Sequence, residues 1–217
     1  MRRGLSASPT PVVIAGAGKM GKLLFDCIDG DDRWQVIGFI DDGHAGETCF
    51  GLPVFASESY DTRLTRNAIM AVGYPATRRQ MVDRLAPLKL DWRTYIDRRC
   101  MVGREAAIGR GAIVLTFAMV ASGVRIGDFT YVSSYANVGT GSVIGCFTSI
   151  LMGATVGESV IGSDCVLGMR SGCLDHATLG DGVTLAPYTL VRRPIPAGAL
   201  VAGSPARIVE RGGKTDS

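Results

Sequence analysis

Apolar residues recur at every sixth position through the C-terminal half of the chain, and this spacing constrains the fold more than any other feature. Sixteen such positions follow one another, with a single step of five between Val156 and Ile161. A period of six fits neither an α-helix nor a simple alternating strand, but it fits a short strand followed by a tight turn. The positions are Val102, Ile108, Val114, Val120, Ile126, Val132, Val138, Ile144, Ile150, Val156, Ile161, Leu167, Cys173, Leu179, Leu185 and Val191.

Three strand-turn units close one triangular coil, and hexapeptide repeats of this kind predict a β-helix of stacked coils. A second small residue stands four positions after each apolar one, as at Ala112 and Ala136, and fills the remaining interior corner. Glycine often follows the apolar residue and suits the turn. About five coils at about 4.8 Å per layer give a stack of roughly 24 Å.

Composition excludes several classes of protein. The net charge is +3, from 23 basic and 20 acidic residues, which is too balanced to indicate a nucleic-acid or anionic-membrane partner. The six cysteines lack metal-site spacing, and Cys165 and Cys173 fall on the interior pattern, so we expect reduced thiols and a cytoplasmic protein. Two histidines cannot form a three-histidine metal site, and we predict no metal. No apolar run is long enough to span a bilayer.

A glycine fingerprint lies near the start of the chain. Gly16, Gly18 and Gly21 follow a continuous apolar run and precede a helical pattern, and Asp41 ends the next apolar run twenty residues later. This β-α-β pattern is typical of a nucleotide-binding turn, in which a helix N-terminus holds phosphate and the acid holds a ribose hydroxyl. The region is too short for two such halves, so we expect a nucleotide-linked sugar rather than NAD. The alternative is a glycine turn kept only for strand-helix packing.

These patterns predict a two-domain chain. An α/β Rossmann-like half domain is expected over residues 10–97, and an all-β β-helix over 98–208. A final segment rich in proline should cap the last coil. Arg78 and Arg79 are expected on a solvated helix face, with a phosphate contact as the alternative. Flexible tails are expected at residues 1–9 and 209–217.

The order of motifs resembles a known family. GAGKMGKLL, FIDD, VGYPATRRQ, the hexapeptide coils and VAGSPARIV occur together. They resemble the sugar O- and N-acyltransferases of the sialic acid O-acetyltransferase type, which act in bacterial surface polysaccharide biosynthesis. The resemblance implies a nucleotide-sugar domain, a left-handed parallel β-helix and a homotrimer. It also implies acetyl-CoA or another acyl-CoA as co-substrate in a groove between neighbouring helices, with no permanently bound cofactor.

The same resemblance implies binding residues by position. The sugar nucleotide would contact the glycine turn and the acids after the second strand, and acyl-CoA would contact the later coils and the C-terminal corner. The implied substrate-binding residues are Gly16, Gly18, Lys19, Met20, Asp41 and Asp42. The implied acyl-CoA-binding residues are Ala154, Gly168, Met169, Arg193, Ser204 and Pro205.

The chain departs from the family at the catalytic base. Thr140 stands where the family carries a histidine, and Gly141 stands where an acidic neighbour is usual. An amine acceptor can attack a thioester without a base. Alternatively, His176 with Asp175 could substitute, because a coil of eighteen residues places 140, 158 and 176 on about the same corner, the outer two roughly 10 Å apart. A third hypothesis is a catalytically inactive binding or regulatory protein.

We therefore predict an acyl-CoA-dependent acyltransferase acting on a nucleotide-linked amino sugar, most simply by N-acylation without a histidine base. The alternatives are an O-acetyltransferase that uses His176 and a binding protein without turnover. A general base contributes about 10²–10⁴-fold to a rate, so its absence separates these hypotheses.

Overall fold

The computed structural model describes residues 8–209, which divide into two compact units. One unit ends at Val72 and resumes over Gln80–Arg93. The other contains Gly73–Arg79 and the described chain from Thr94 onward. This division differs from the predicted boundary after residue 97, because the segment 73–79 and the first strand of the coils belong to the second unit. The parts of the predicted tails at 1–7 and 210–217 lie outside the described residues.

The first unit contains a six-stranded sheet with helical connections. The predicted strand-helix-strand unit is confirmed, since a buried apolar run forms each central strand and an amphipathic helix joins them. Three 3₁₀ segments, Asp42–His44, Ser57–Ser59 and Ala86–Leu88, connect the elements. The elements are β1 Thr10–Ala15, α1 Lys19–Ile28, β2 Trp34–Ile40, β3 Thr48–Cys49, β4 Leu52–Phe55, β5 Asn67–Met70, α2 Pro75–Leu85, whose first turns belong to the second unit, and β6 Asp91–Trp92.

The strand order of this sheet is β3-β4-β2-β1-β5-β6. β1 pairs in parallel with both β2 and β5, so it lies at the centre. Its residues from Val12 to Ala15 are fully buried. The carboxyl ends of β1, β2 and β5 therefore meet at one edge of the sheet, which is the edge where such folds bind ligands.

The second unit is a stack of triangular coils, as the six-residue period predicts. Each strand from β7 to β23 contributes two residues, the second of which is apolar and points inward. The strands are β7 Tyr95–Ile96, β8 Met101–Val102, β9 Ala107–Ile108, β10 Ile113–Val114, β11 Met119–Val120, β12 Arg125–Ile126, β13 Tyr131–Val132, β14 Asn137–Val138, β15 Val143–Ile144, β16 Ser149–Ile150, β17 Thr155–Val156, β18 Val160–Ile161, β19 Val166–Leu167, β20 Gly172–Cys173, β21 Thr178–Leu179, β22 Thr184–Leu185, β23 Leu190–Val191, β24 Leu200–Ala202 and β25 Arg207–Val209.

These strands form three faces, and neighbouring strands are parallel throughout except for β25, which is antiparallel to β24. Face one has the order β25-β24-β22-β19-β16-β13-β10-β7, face two β23-β20-β17-β14-β11-β8, and face three β21-β18-β15-β12-β9. The interior positions form one continuous core, in which Val120, Val132 and Ile150 are fully buried. The predicted interior cysteines, Cys165 and Cys173, belong to this core, and burial raises the pKa of the Cys173 thiol to about 12. All six cysteines are free thiols.

Three corners join the faces, and we name each by its surroundings. The apolar corner joins faces one and two and includes the turns 151–154 and 168–171. The open corner joins faces two and three and includes 139–142, 157–159 and 174–177. The closed corner joins faces three and one and includes 145–148 and 162–165. The predicted cap is confirmed, because β24 pairs with β22 and β25 returns antiparallel against β24.

Candidate functional site

The glycine turn after β1 adopts a backbone that side chains would prevent. Gly16 has φ +110°, and a Cβ there would stand 2.9 Å from the Ala71 carbonyl oxygen. A Cβ on Gly21 would stand 2.0 Å from the Gly16 carbonyl oxygen, so the helix can pack closely only without one. Gly18 is the N-cap of α1 and no side chain caps the helix, which leaves its first N–H groups available to an anion.

Asp41 braces this turn. Its carboxylate accepts hydrogen bonds from the Ala17 N–H at 2.8 Å and from the Gly43 N–H at 3.0 Å. His44 Nδ1 lies 3.4 Å from the same carboxylate. Each carboxylate oxygen has a further lone pair, so the predicted contact with a ribose hydroxyl remains compatible with these bonds.

Asp42 is tied into the unit more firmly. Its carboxylate accepts hydrogen bonds from the Ser57 N–H at 2.6 Å and the Ser57 hydroxyl at 3.0 Å, and it pairs with Arg84 at 2.9 Å. The Ser57 N–H, then these other partners, hold the pKa of the Asp42 carboxyl below its ordinary value. Asp42 therefore links its own 3₁₀ segment to Ser57 and to Arg84 on α2, and it does so independently of any contact with a nucleotide.

The six predicted substrate-binding residues converge within the first unit. Gly16 donates its N–H to the Ile40 carbonyl at 2.9 Å, which sets the glycine turn beside the end of β2. Lys19 is exposed at the first position of α1, and Met20 is partly buried beside it. The arrangement can hold a phosphate group at the helix start with a cation next to it.

Thr140 lies exposed on the open corner, in the turn after β14. The strand pairs Val138↔Val156 and Val156↔Cys173 place Glu158 one coil above it and Asp175 two coils above it. The prediction that 140, 158 and 176 share a corner is confirmed. His176 is in register with Gly141 rather than with Thr140, because the turn at 157–159 is one residue short. Gly141 and His176 accordingly share a left-handed backbone, with φ of 72° and 65°.

The predicted pantetheine residues lie on the apolar corner. Met169 is 50% exposed there and has Met152 beside it in the coil below, also 50% exposed. Ala154 is fully buried in the prism core, so only its backbone could line an external groove. Gly168 is buried, and a Cβ would stand 2.5 Å from the Leu185 carbonyl oxygen. Within one chain this corner and the open corner lie at opposite edges of face two.

The structure brings the remaining predicted acyl-CoA residues to one place. Arg193 and Pro205 line a depression of about 200 Å³, together with Leu190, Ile195 and Ala206. Ser204, Pro205 and Arg193 are exposed. An exposed guanidinium beside an apolar wall suits the phosphates and adenine of a nucleotide such as CoA.

Arg78 is the residue that sequence reasoning placed wrongly. It is 2% exposed rather than solvated, and its guanidinium donates to the Phe147 carbonyl at 2.6 Å and to the Ser149 hydroxyl at 2.9 Å on the closed corner. The Ser149 hydroxyl in turn donates to the Gly73 carbonyl at 2.7 Å. Burial lowers the pKa of Arg78 to about 10, so it stays charged at neutral pH.

Arg79 also contacts the closed corner. It forms a two-point pair with the Asp164 carboxylate at 2.6 and 2.8 Å, and its guanidinium lies 3.9 Å from the centre of the Phe147 ring. The prediction of a solvated helix face is thus wrong for Arg78, whereas Arg79 is exposed as predicted and also pairs with Asp164. The only signal in the sequence is two adjacent arginines on a helix with weak apolar spacing, which does not distinguish buried from exposed.

Comparisons with known proteins agree with this architecture. Residues 11–85 match the family described as PglD N-terminal domain. The acetyltransferase domain of PglB from Neisseria gonorrhoeae FA1090 is 28% identical, with a TM-score of 0.84 over 92% of this chain and 99% of that chain. The same domain in complex with acetyl coenzyme A matches at 27% identity and a TM-score of 0.84, over 93% of this chain and 100% of that chain.

Two further matches have lower identity or cover less of the chain. PerB from Caulobacter crescentus, in complex with CoA and GDP-perosamine, is 19% identical with a TM-score of 0.64 over 93% of this chain and 98% of that chain, and it supports the fold alone. A Bacillus subtilis (strain 168) protein, "Putative acetyltransferase YvoF", is 35% identical over 54 residues. These residues are 25% of this chain and only 31% of that protein.

The fold and these matches define the class. The predicted left-handed β-helix after a Rossmann-like domain is confirmed. The resemblance to hexapeptide-repeat sugar acetyltransferases is also confirmed, and the chain is an acyltransferase. Among the described residues no group of histidine, cysteine, aspartate and glutamate could hold a metal ion. Over residues 8–209, no helix is both apolar and long enough to cross a membrane.

Proposed function

We propose that this protein transfers an acyl group from an acyl-CoA to the amino group of a nucleotide-linked amino sugar. One observation carries the proposal. Over 93% of its length the chain matches an acetyltransferase domain that is in complex with acetyl coenzyme A. On the open corner, however, this chain presents Thr140 rather than a histidine. A neutral amine attacks a thioester without a base, whereas a sugar hydroxyl needs one.

The roles of the residues follow from their positions. Gly16, Gly18 and Lys19 hold the phosphates of the nucleotide, and the Asp41 carboxylate accepts a ribose hydroxyl. Met20 and Asp42 support the same nucleotide. These assignments rest on the exposed start of α1 and the spare lone pairs of Asp41.

The acyl-CoA assignment rests on the exposed corners of the second unit. Gly168, Met169 and the backbone of Ala154 line the pantetheine arm, and Arg193 with the Ser204-Pro205 corner holds the nucleotide end. Two observations support it: Met169 is half-exposed, and Arg193 and Pro205 share one depression. An acyl-CoA is then a co-substrate, and no cofactor stays bound.

The apolar corner and the open corner lie at opposite edges of face two, so a single chain does not bring Met169 to Thr140. A neighbouring copy whose β-helix lies parallel to this one can place its apolar corner against the open corner of this copy. We therefore propose a homotrimer with acyl-CoA between copies. A row of large apolar side chains supports an interface at the apolar corner, where Phe117 is 50%, Tyr135 59% and Tyr188 66% exposed. Sedimentation equilibrium tests it, and a monomeric mass at micromolar concentration would contradict it.

The setting we propose is the cytoplasm, where acyl-CoA and sugar nucleotides are made, in the biosynthesis of surface polysaccharide. Six free thiols are in keeping with a reducing compartment.

The decisive experiment is an acceptor panel. The protein is incubated with acetyl-CoA and UDP-, dTDP- or GDP-linked amino sugars, each paired with the same nucleotide sugar bearing a hydroxyl at that carbon. We expect CoA thiol release with at least one amino sugar and background release with its hydroxyl counterpart. Transfer to the hydroxyl sugars alone, lost in His176→Ala, would instead support O-acylation with His176 as base. Binding without thiol release from any acceptor would indicate a binding protein.

A further inference from the structure

The open corner contains one turn that is shorter than its neighbours. Three residues, 157–159, connect β17 to β18, whereas four residues form the turn below, 139–142, and the turn above, 174–177. The strands on both sides stay in register, with Val138 opposite Val156 and Val143 opposite Val160. The missing residue therefore changes only the corner, and it brings Glu158 directly above the Thr140-Gly141 pair.

The Glu158 side chain lies in contact range of Gly141. Its carboxylate oxygen Oε1 lies 3.7 Å, and its Cγ 3.8 Å, from the point where a Cβ on Gly141 would stand. Gly141 also has φ +72°, a backbone conformation that other residues rarely adopt. The shortened turn and the glycine below it thus act together to set a carboxylate beside Thr140.

The backbone of Glu158 is fixed from the coil above. Its N–H donates to the Asp175 carboxylate at 2.9 Å, and its carbonyl accepts the His176 N–H at 2.6 Å. Among the described residues no hydrogen bond or ion pair engages the Glu158 carboxylate itself, which is exposed. A fixed backbone therefore carries an unpaired negative charge one coil above Thr140.

The arginines in register with Glu158 on the open corner lie at least two coils away from it. Arg104 is in register with Thr140 but two coils below it, and Arg193 is in register with Asp175 but one coil above it. Two coils separate charges by roughly 10 Å, about one screening length in physiological salt. Asp175 adds a second negative charge in the next coil. The corner at Thr140 therefore attracts a cation.

We propose that Glu158 binds the amino group of the acceptor sugar beside Thr140 and so selects an amine over a hydroxyl. The inference rests on the proposed acyl transfer. An ammonium group offers three donors and a positive charge, and charge-assisted hydrogen bonds are about twice as strong as neutral ones. A sugar hydroxyl offers one donor and no charge. Glu158 thus selects an amino-sugar acceptor by its charge, at a corner where Thr140 cannot act as a base.

The chemical step balances without a protein base. The bound ammonium releases one proton to solvent, and the neutral amine nitrogen then forms the bond to the acyl carbon. The carbon–sulfur bond of the thioester breaks, and the departing CoA thiolate takes the second nitrogen proton. Glu158 holds the nitrogen in place through its remaining N–H groups during the attack.

Glu158→Gln in the full-length protein tests the assignment, because it keeps the shape and removes the charge. The KM for the amino-sugar nucleotide should rise on the order of ten-fold. The KM for acetyl-CoA should stay unchanged and kcat should change less than about three-fold, which reports an intact fold. Glu105→Gln is the matched control, because Glu105 is exposed on the same corner and in register with Gly141 two coils below. It should leave the KM for both substrates unaltered.

The outcomes separate the inference from the proposed function. An amino-sugar KM that is the same in Glu158→Gln and in the unaltered protein overturns the role of Glu158 and leaves acyl transfer standing. An equal rise in Glu105→Gln also overturns it, since it would indicate a long-range charge effect. If the unaltered protein transfers to no sugar nucleotide, the proposed function fails and this inference fails with it.

Discussion

The closed corner and the open corner of the coiled unit both carry charged side chains, but they differ in what those side chains contact. At the closed corner Arg78 donates to the backbone of Phe147 and is almost fully buried. At the open corner Thr140, Glu158 and His176 are exposed. The two corners come from the same repeat, so the difference lies in what packs against them.

This contrast distinguishes structural charges from functional ones. A buried guanidinium needs partners for its charge, since desolvation of an unpaired charge costs several kcal/mol, and Arg78 finds them in the Phe147 carbonyl and the Ser149 hydroxyl. An exposed carboxylate without partners adds little to stability, and it stays available to a ligand. The closed corner is therefore expected to govern folding, whereas the open corner is expected to govern substrate choice.

The largest expected effect is at Arg78. Arg78→Met keeps much of the side-chain volume but leaves the Phe147 carbonyl without its donor and places no group against the Ser149 hydroxyl. We expect the free energy of unfolding to fall by about 3 kcal/mol. Urea denaturation followed by circular dichroism measures this loss.

Arg79→Met on the same helix is the matched comparison. Its ion pair with Asp164 is partly exposed, with 45% of the Arg79 side chain accessible. The loss should therefore be about 0.5–1 kcal/mol, including the contact with the Phe147 ring. Equal losses in the two variants would contradict the distinction between a buried and a surface arginine.

A smaller effect is expected at Asp42, which extends the contrast to the first unit. Asp42→Asn removes the charge that Arg84 and Ser57 stabilise, and it should lower the free energy of unfolding by about 1 kcal/mol at pH 7, since the site is partly exposed. The folded-state pKa of Asp42 lies below 3.8. A carboxyl with a depressed pKa stabilises the fold above its unfolded pKa and loses that contribution as the pH falls through the folded value.

The difference between the unaltered protein and Asp42→Asn should therefore be full at pH 7 and shrink below about pH 4. Thermal unfolding at several pH values measures it. A difference that is constant from pH 7 to pH 3 would show that ionisation of Asp42 does not contribute to stability.

The smallest effect is expected at the open corner. His176→Ala should change kcat/KM for an amino-sugar acceptor by less than about two-fold, because His176 is in register with Gly141 and lies two coils away from the turn that carries Thr140. A general base at this position would instead lose about 10²–10⁴-fold. Steady-state kinetics decide between these values. Thr140→Ala is the companion variant, and its kcat should also stay within about three-fold.

Much of the fold was predictable because its signals are local. The six-residue period places one apolar side chain in the prism from every strand, and the glycine turn needs residues without a Cβ at positions 16 and 21. The division between units was less predictable. Trp92 and Tyr95 lie in one apparent strand of the sequence, yet β6 pairs with β5 while β7 pairs with β10.

Residue types at short spacings are enough to predict the stacked coils and the glycine turn, and they show directly that position 140 is not a histidine. The burial of Arg78 follows only from the folded chain, because its partner Phe147 lies 69 residues away along the chain. The contact between Glu158 and Gly141 also follows only from the folded chain. That contact depends on the register of neighbouring coils, which the backbone hydrogen bonds between strands impose and a count of residues gives only to within one position.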